Sequence, residues 1–165
     1  VIDPVMYAKN GSPLMQESAI SALRSAVLPL ATLLTPNIPE AEKLAGMEIS
    51  SEADMREAAR RIQALGPQNV LVKGGHAQGE ARDVLLCGED FHVFASRRIP
   101  TKNTHGTGCT LSSAIAAYLA RGEVLPEAVR KAKEYVTGAI EHALPLGHGC
   151  GPTHHFFAFY EADCD

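Results

Sequence analysis

The residues with the clearest potential for chemistry are Gly106, Thr107, Gly108 and Cys109, which are adjacent in the sequence. Apolar residues follow at helical spacing through 111–118, which indicates that these residues open an amphipathic helix. The first N–H groups of a helix have no partner inside it, and the helix dipole places partial positive charge at that end. The segment therefore predicts a nest of backbone N–H groups that binds an anion, and a phosphate suits it best.

Cys109 lies in the first turn of this predicted helix and faces the nest. The dipole that attracts an anion also favours the thiolate form of the side chain. A group that accepts a proton beside such a nest is the minimum that phosphoryl transfer to a hydroxyl group requires. The residues alone leave an alternative, which is a glycine-rich helix start with a small buried cysteine. The segment is not a Walker A loop, because no Gly-Lys-Ser/Thr follows it.

Polar side chains also follow two short apolar segments. Asn37 and Glu40 are spaced i, i+3 at the start of a predicted helix, so both can face one direction. Amide and carboxylate oxygens suit Mg²⁺, whereas the structural alternative is a helix cap that Glu40 completes. Lys73 ends an apolar strand before Gly74 and Gly75, and we expect its side chain to emerge from the sheet edge. Its charge suits a transferring phosphate, and a solvated lysine is the alternative.

Several segments, in one order along nearly the whole chain, resemble the hydroxymethylpyrimidine/phosphomethylpyrimidine kinases of thiamin biosynthesis, which belong to the ribokinase-like superfamily. Residues 103–110 resemble the anion-hole motif of that family, and Cys109 occupies a position that is usually Asp in the superfamily. The other matching segments are Asp3–Met6, Thr35–Glu42, Val72–His76 and Gly147–Phe156. The family's N-terminal portion, with its opening strand and much of the pyrimidine pocket, has no counterpart, so we expect roughly the C-terminal three-fifths of a kinase.

The resemblance implies contacts to a nucleotide and a metal. Asn37 and Glu40 would order Mg²⁺ and its water molecules near the nucleotide phosphates. Lys73 would approach the phosphates of ATP, and Gly75 would leave room for the nucleotide. The N–H groups of the nest, that of Thr107 included, would stabilise the transferring phosphoryl group.

The resemblance also implies an acceptor site. Asp3 would lie close to the acceptor and the metal, Val5 would line the pyrimidine pocket, and Cys109 would accept the proton of the acceptor. Ala132 and Val136 are candidates for an apolar wall against adenine. Simpler alternatives stay open: Asp3 starts a turn, Val5 belongs to the core, and the two helix residues pack inside the protein.

The implied function is ATP-dependent phosphorylation of hydroxymethylpyrimidine and its monophosphate, with ATP and Mg²⁺ as cofactors and a small molecule as substrate. One alternative is a pyridoxal or pyridoxine kinase of the same superfamily, which also phosphorylates a hydroxymethyl group on an aromatic ring. Another is a nucleotide-binding fragment without turnover. The Gly-His-Gly-x-Gly-Pro sequence of residues 147–152 favours the thiamin side. The resemblance also suggests a homodimer.

Length and composition limit the classes of protein. The 165 residues suit a single α/β domain, and the apolar fraction of 45% is ordinary for a globular protein. The formal net charge of −4 argues against a nucleic-acid surface, which would be basic. No apolar run reaches the ~20 residues of a membrane span, and no secretory leader is evident. Widely spaced cysteines indicate a reducing compartment, so we expect a cytoplasmic protein.

The order of the predicted elements indicates the fold. Strands alternate with helices, which predicts an α/β fold with a mainly parallel sheet, and the resemblance implies a ribokinase-like three-layer sandwich. The expected strands are Val1–Met6, Ala31–Leu34 and Asn69–Lys73, followed by a hairpin of Arg82–Cys87 and Phe91–Ser96. Four helices are expected besides the one after the nest. The first is capped by Ser18 and ends at Pro29, and the second is Pro39–Ala45. The third is capped by Ser51, and the fourth begins at Pro126.

Overall fold

The computed structural model describes residues 1–8, 11–75 and 81–160. Contacts between Cα atoms divide the chain into two compact units, Val1–Ala95 and Ser96–Asp165. The expectation that all 165 residues form one α/β domain stays a prediction. His76, which ends one of the family-like segments, and Cys164 lie outside the described residues.

Helices and a small sheet make up the first unit. Helix α1 (Glu17–Ala22) continues into a π-helical turn (Leu23–Val27) and a 3₁₀ turn (Leu28–Leu30). The other elements of this unit are α2 (Ile38–Ala45), α3 (Glu52–Gln63), β1 (Asn69–Lys73), β2 (Ala81–Cys87) and β3 (Asp90–Ser96). The second unit contains α4 (Thr107–Ala120), α5 (Leu125–Glu141) and α6 (Phe157–Tyr160). The bounds predicted for β1 are confirmed.

In the three-stranded sheet, β2 lies between β1 and β3. Strands β1 and β2 are antiparallel, with Leu71 opposite Leu85. Their connection, residues 74–80, is too short for the crossover of about a dozen residues that parallel neighbours need. The predicted hairpin strands β2 and β3 are hydrogen-bonded neighbours. The α/β class is confirmed, but the sheet of regular strands is not the mainly parallel one that we expected.

Parallel pairing occurs at single positions instead. Ile2 pairs with Leu34, and Leu34 pairs with Val70 of β1. The Ile2 N–H donates to the carbonyl of Leu33 at 2.8 Å, and the Leu71 N–H donates to the carbonyl of Leu34 at 2.8 Å. Helices lie between the paired segments in the sequence, which is the order of a parallel βαβ arrangement.

The segments Val1–Met6 and Ala31–Leu34 are therefore present as isolated bridges, and the prediction of regular strands there is wrong. The first segment shows the physical reason. Pro4 has no N–H to donate to a neighbouring strand. Val5 has a φ of 23°, which turns the chain out of an extended conformation.

Capping side chains explain where α2 and α3 begin. Asn37 caps α2, which begins at Ile38, one residue before the predicted Pro39, and Ser51 caps α3 as predicted. Helix α1 follows Gln16, and the cap expected at Ser18 is wrong. Pro29 lies inside the 3₁₀ turn and does not stop the helical path, because the first turn of a helix does not need the N–H that proline lacks.

The core of the first unit consists of apolar side chains from its helices and strands. The central residues of β1 are buried on both faces, as a strand covered on both sides requires. Each such side chain that is fully buried contributes about 1.5–3 kcal/mol to folding. The main cluster contains Met6, Ile20, Leu23, Leu28, Leu34, Ala41, Leu44, Met55, Ala59, Ile62, Val70, Val72, Val84 and Leu86.

The second unit is built on the contact between α4 and α5. Helix α5 begins at Leu125, one residue before the predicted first residue Pro126, and buries one apolar stripe. The buried residues of that stripe are Ala128, Val129, Ala132, Val136 and Ala139. Among residues 1–8, 11–75 and 81–160, no helix combines the length and the apolar character of a membrane span.

Candidate functional site

The start of α4 has the geometry of an anion nest. Gly106 precedes the helix with φ of 82° and ψ of 0°, a left-handed conformation that suits glycine because it lacks a Cβ. The first hydrogen bond runs from the Thr110 N–H to the Gly106 carbonyl at 2.9 Å. The N–H groups of Thr107, Gly108 and Cys109 precede that bond and have no acceptor within the helix. The predicted helix start is confirmed, and anion binding there stays a prediction.

Nearby hydroxyl groups leave these N–H groups available. The Thr107 hydroxyl donates to the Thr104 carbonyl at 2.8 Å, and the Thr110 hydroxyl donates to the Gly106 carbonyl at 2.8 Å. In the described part of the chain, no side chain caps α4. A ligand at this helix start therefore meets backbone donors first, and the positive end of the helix dipole favours an anion.

Cys109 is exposed, so the alternative of a small buried cysteine is wrong. By comparison, Cys87 at the end of β2 is partly buried, and its desolvation, helped by the negative charge of Asp90, raises the pKa of its thiol. Exposure in the first turn of α4 leaves the Cys109 sulfur accessible to a ligand in the nest. Its role as a proton acceptor stays a prediction.

A groove of about 560 Å³ runs along α4 within the second unit and begins at Cys109. Ser113 and Ala117 continue one face of the helix at four-residue spacing. The other lining residues are Thr110, Ala114, Tyr118, Arg121, Tyr135 and His155. Our sequence-based prediction did not include this groove. Arg121 extends the same four-residue spacing and was detectable in the sequence, whereas no motif marks Tyr135.

In the first unit, Lys73 and Asp3 form an ion pair. Lys73 Nζ lies 2.8 Å from Asp3 Oδ1, and the two side chains are 12% and 14% exposed. The Thr35 hydroxyl donates to the same carboxylate oxygen at 3.4 Å. The expectation that the Lys73 side chain emerges from the sheet edge is therefore wrong, as is the solvated alternative. A partly buried ammonium group is stabilised by an opposite charge nearby, and Asp3 supplies it from 70 residues away.

Removing one partner of this ion pair will destabilise the first unit. We expect Lys73→Met to lower the free energy of unfolding by about 1–3 kcal/mol, because the partly buried Asp3 carboxylate loses its charged partner. The double variant Asp3→Asn/Lys73→Met should recover more than half of that loss, since it leaves no buried charge. Urea denaturation of both single variants and the double variant measures the coupling.

A matched control is Lys43→Met, which removes the ion pair between Lys43 and Glu17. Their side chains are 36% and 78% exposed, so water and salt screen the pair. We expect no measurable change in unfolding from this variant. Equal losses from Lys43→Met and Lys73→Met would contradict the compensating role of Asp3.

Asn37 and Glu40 form a capping box at the start of α2. The Glu40 N–H donates to Asn37 Oδ1 at 3.0 Å, and the Asn37 N–H donates to Glu40 Oε2 at 2.8 Å. The Met6 N–H donates to the other carboxylate oxygen, Glu40 Oε1, at 3.0 Å. Glu40 is only 2% exposed. The alternative that Glu40 completes a helix cap is therefore confirmed.

These contacts determine how the pair fits Mg²⁺. Both carboxylate oxygens of Glu40 and the amide oxygen of Asn37 already accept one backbone N–H group each, so a metal ion would have to share these oxygens with the helix cap. Across the described ranges 1–8, 11–75 and 81–160, no group of three or more His, Cys, Asp or Glu side chains is placed to hold a metal ion. The expected ordering of metal-bound water by this pair stays a prediction.

Val5 is the one non-glycine residue with a positive φ in the described part of the chain, at 23°. A β-branched residue rarely adopts such a conformation, and strained residues of this kind cluster at ligand sites. Its side chain is 39% exposed, so the alternative that Val5 belongs to the core is wrong. The hydrogen bond from Met6 to Glu40 holds the chain directly after it. The turn therefore presents Val5 outward, as contact with a ligand ring requires.

Gly74 and Gly75 follow β1 and differ in their surroundings. A Cβ on Gly74 would lie 1.9 Å from the carbonyl oxygen of Arg82, so packing alone requires glycine there. A Cβ on Gly75 would meet no atom of residues 1–8, 11–75 and 81–160 within 4 Å. This open space is compatible with the expected nucleotide contact at Gly75, which stays a prediction.

Ala132 and Val136 lie in the interior of the second unit. Ala132 is 0% exposed and Val136 is 6% exposed, on the stripe of α5 that is buried. Packing of the helix, the simpler alternative, accounts for both residues as they lie. Contact with adenine would require both side chains to become accessible, so the expected adenine wall has no support in this arrangement.

Within the first unit, the predicted residues come together where the paired segments end. Asn37 pairs with Lys73 in a parallel bridge, and the Lys73 N–H donates to the Pro36 carbonyl at 2.8 Å. Asp3 reaches the same place through its ion pair with Lys73. The carboxyl ends of parallel segments are where α/β sheets bind ligands. In the second unit, residues 106–109 form the nest.

Comparison with known proteins agrees with these features. The model of the family described as phosphomethylpyrimidine kinase matches residues 1–154. The thiamine biosynthesis bifunctional protein ThiED of Geobacter sulfurreducens is 57% identical over 159 residues, which are 96% of this chain and 32% of that protein. The hydroxymethylpyrimidine/phosphomethylpyrimidine kinase of Streptomyces coelicolor is 47% identical over 161 residues, 98% of this chain and 60% of that protein. The chain thus spans less than two thirds of these relatives.

Solved structures show the same fold. A Bacillus subtilis pyridoxal kinase in an ADP complex matches with a TM-score of 0.83 and 44% identity, over 89% of this chain and 58% of that one. A phosphomethylpyrimidine kinase from Clostridium difficile 630 matches with a TM-score of 0.72 and 45% identity, over 84% of this chain and 55% of that one. The ribokinase-like fold is confirmed. With its family segments in order over residues 1–154, the chain belongs to the phosphomethylpyrimidine kinase family.

Proposed function

We propose that the polypeptide that carries this chain transfers the γ-phosphate of ATP to the hydroxymethyl group of hydroxymethylpyrimidine, and then to the phosphate of the monophosphate. The observation that carries this proposal is the nest of N–H groups at Thr107, Gly108 and Cys109 in a member of this kinase family. The exposed Cys109 thiol beside the nest adds the group that a hydroxyl acceptor needs.

The nest stabilises charge on the phosphoryl group in transit. Phosphoryl transfer requires little covalent chemistry from the protein, so positioning and electrostatic stabilisation supply most of the rate. The N–H groups at the start of α4 point their dipoles to one place and need no reorganisation during the reaction. Loss of one well-aimed donor of this kind costs roughly 10²–10³ in kcat.

Cys109 accepts the proton in the first reaction. The hydroxyl oxygen of the acceptor forms a bond to the γ-phosphorus, and the bond from that phosphorus to the bridging oxygen of ADP breaks. The hydroxyl proton passes to the Cys109 thiolate, and the exposed thiol then releases it to solvent. In the second reaction the attacking oxygen belongs to a phosphate that is already charged, so little base catalysis is required.

The ion pair in the first unit supplies the remaining charged groups. In our proposal the phosphates of ATP compete with Asp3 for Lys73, which Asp3 holds at 2.8 Å in this structure. Val5 of the first unit is exposed, and its outward position makes it available to a ring. Gly75 leaves space for the nucleotide. ATP and Mg²⁺ are the cofactors of this proposal, and bound Mg²⁺ supplies positive charge at the nucleotide phosphates.

A second candidate activity is phosphorylation of pyridoxal. The observation in its favour is the match to the Bacillus subtilis pyridoxal kinase, at 44% identity and a TM-score of 0.83. A third possibility, without turnover, is nucleotide binding alone, because the chain spans 60% of the Streptomyces coelicolor kinase. The expected homodimer and cytoplasmic location belong to the same proposal, and size-exclusion chromatography with light scattering tests the dimer.

Because the chain spans 60% of the Streptomyces coelicolor kinase, we infer that the active enzyme is a longer polypeptide, and the test compares it with the 165-residue chain. Both are incubated with Mg-ATP and, separately, with hydroxymethylpyrimidine, its monophosphate and pyridoxal, while ADP formation and the phosphorylated product are followed. Calorimetry with the non-hydrolysable analogue AMP-PCP measures nucleotide binding by the 165-residue chain alone. We expect the longer polypeptide to phosphorylate both pyrimidines at a kcat/KM at least tenfold above that for pyridoxal.

The outcomes separate the candidates. A preference for pyridoxal would overturn the thiamin proposal and support the second candidate. Nucleotide binding by the chain, with turnover in the longer polypeptide only, would show that this part holds the nucleotide site and needs further residues for the acceptor. Absence of turnover with all three acceptors in the longer polypeptide would overturn the kinase proposal.

A further inference from the structure

The family-like C-terminal segment meets the loop that leads into the nest. The Gly151 N–H donates to Asn103 Oδ1 at 3.2 Å, and the His105 N–H donates to the Gly151 carbonyl at 3.1 Å. His105 and Pro152 form a parallel bridge at the same place. Both polar backbone groups of Gly151 are thus used to hold two positions just before Gly106. The proposed reaction assigns no role to this segment.

Close approach explains why residue 151 is glycine. A Cβ at this position would lie 2.5 Å from Asn103 Oδ1 and 2.9 Å from Asn103 Cγ. The carbonyl oxygen of Leu144 would lie 3.2 Å from the same Cβ. Asn103 is 7% exposed and has little room to move away. Any larger residue at 151 must therefore displace the Asn103 side chain or the loop that carries it.

The loop itself is short and fixed at several points. The Asn103 N–H donates to the Thr101 hydroxyl at 3.1 Å, and the Thr104 N–H donates to the Lys102 carbonyl at 3.0 Å. The Thr107 hydroxyl donates to the Thr104 carbonyl at 2.8 Å, which joins the loop to the first turn of α4. A displacement at Asn103 therefore passes to the first turn through a chain of hydrogen bonds.

Helix α4 has no capping side chain of its own that would fix this first turn. Gly106 occupies the cap position without a side chain, so the N–H groups after it stay open to a ligand. The direction in which they point then depends on how the preceding loop is held. Contacts of the loop with Gly151 supply that restraint from 48 residues away.

We propose that Gly151 and Asn103 are positioning residues for the anion nest: the C-terminal segment sets the direction of the N–H groups of Thr107, Gly108 and Cys109. The inference rests on the proposed kinase function for its effect on turnover. Its effect on the geometry of the nest is independent of that function. A misplacement of about 1 Å at a reacting centre costs roughly 100-fold in rate.

The experiment compares Gly151→Ala with Gly149→Ala in the longer polypeptide. Gly149 lies two positions earlier, and a Cβ there would meet no atom within 4 Å in the part of the chain that the structure describes, which makes it a matched control. We expect Gly151→Ala to lower kcat roughly 100-fold with KM for the acceptor within about threefold of the parent value. Gly149→Ala should leave both constants unchanged.

A second readout does not depend on turnover. In ¹H–¹⁵N spectra of the same polypeptide, the amide signals of residues 106–109 should shift in Gly151→Ala and not in Gly149→Ala. The double variant Asn103→Ala/Gly151→Ala removes the clashing atoms, so kcat should rise about tenfold above that of Gly151→Ala, a non-additive result typical of residues in contact. If Gly151→Ala does not fold, Asn103→Ala replaces it in the test, because this substitution adds no clash. The same spectra and kinetics are then measured for Asn103→Ala.

Unshifted amide signals in Gly151→Ala, or in Asn103→Ala where the former does not fold, would overturn the proposal whatever the activity. Equal loss of kcat in Gly149→Ala and Gly151→Ala would also overturn it, because the loss would then be a general effect on the segment. A further outcome is that the parent polypeptide phosphorylates none of the acceptors while the amide signals of residues 106–109 still shift in Gly151→Ala. That result would support the positioning of the nest and contradict the kinase function.

Discussion

Replacing Cys109 by alanine in the longer polypeptide will slow phosphorylation of hydroxymethylpyrimidine by roughly 10²–10⁴-fold, the range expected for loss of a general base. Phosphorylation of the monophosphate should fall much less, by under about tenfold, because a charged phosphate oxygen has little need of proton removal. The measurement is kcat for the two acceptors under saturating Mg-ATP. The difference between acceptors is the test, since each reaction serves as the internal control for the other.

Two further measurements separate catalysis from folding. Nucleotide affinity should be unchanged in Cys109→Ala, since the backbone N–H groups of the nest are retained. Cys87→Ala is the matched cysteine control, because Cys87 is partly buried at the end of β2 and far in the sequence from the nest. Equal losses for the two acceptors, or full activity on hydroxymethylpyrimidine, would contradict proton transfer to Cys109.

Gly74→Ala will lower the free energy of unfolding by at least about 3 kcal/mol, at the upper end of the usual cost of overpacking. The added Cβ would lie 1.9 Å from the Arg82 carbonyl oxygen, which is a backbone atom and cannot rotate away. The displacement would also strain the hydrogen bond from the Gly74 N–H to Asp83 Oδ1, which is 2.9 Å long. Urea denaturation of the 165-residue chain, followed by far-ultraviolet circular dichroism, measures the change.

Gly75→Ala is the matched control for this substitution. A Cβ there would meet no atom of the described residues within 4 Å, so the free energy of unfolding should stay within about 0.5 kcal/mol of the parent value. The same variant tests the proposed nucleotide site, because a methyl group in space kept for ATP should raise the Kd of AMP-PCP. A stable Gly74→Ala variant would show that β1 and β2 separate more easily than their packing indicates.

The sequence by itself determined the features whose causes lie within a few residues of each other. Asn37 and Ser51 cap the helices that follow them, and the start of α4 at residues 106–109 has the predicted form. The apolar run of β1 gave its bounds without error. Helix hydrogen bonds and caps join residues three or four positions apart, so the residue types in a short window are enough to predict them.

The antiparallel direction of β2 was also open to prediction. The connection of residues 74–80 is too short for a parallel crossover, whereas the alternation of strands and helices pointed the other way. The strand predicted at Val1–Met6 is wrong for a local reason, because Pro4 and the positive φ of Val5 interrupt an otherwise apolar stretch. Both errors came from giving the overall pattern more weight than connection length and single residues.

Only the tertiary structure decided which distant groups meet. Lys73 is held by Asp3 across 70 residues, Met6 by Glu40 across 34, and Gly151 by Asn103 across 48. No residue type or spacing specifies such pairs, because each depends on how the chain returns to the same place. A buried charge or N–H group must nevertheless find a partner there, since leaving it unpaired costs more than the contact itself contributes. Lys73, which we expected to emerge from the sheet edge, is accordingly one half of a partly buried ion pair.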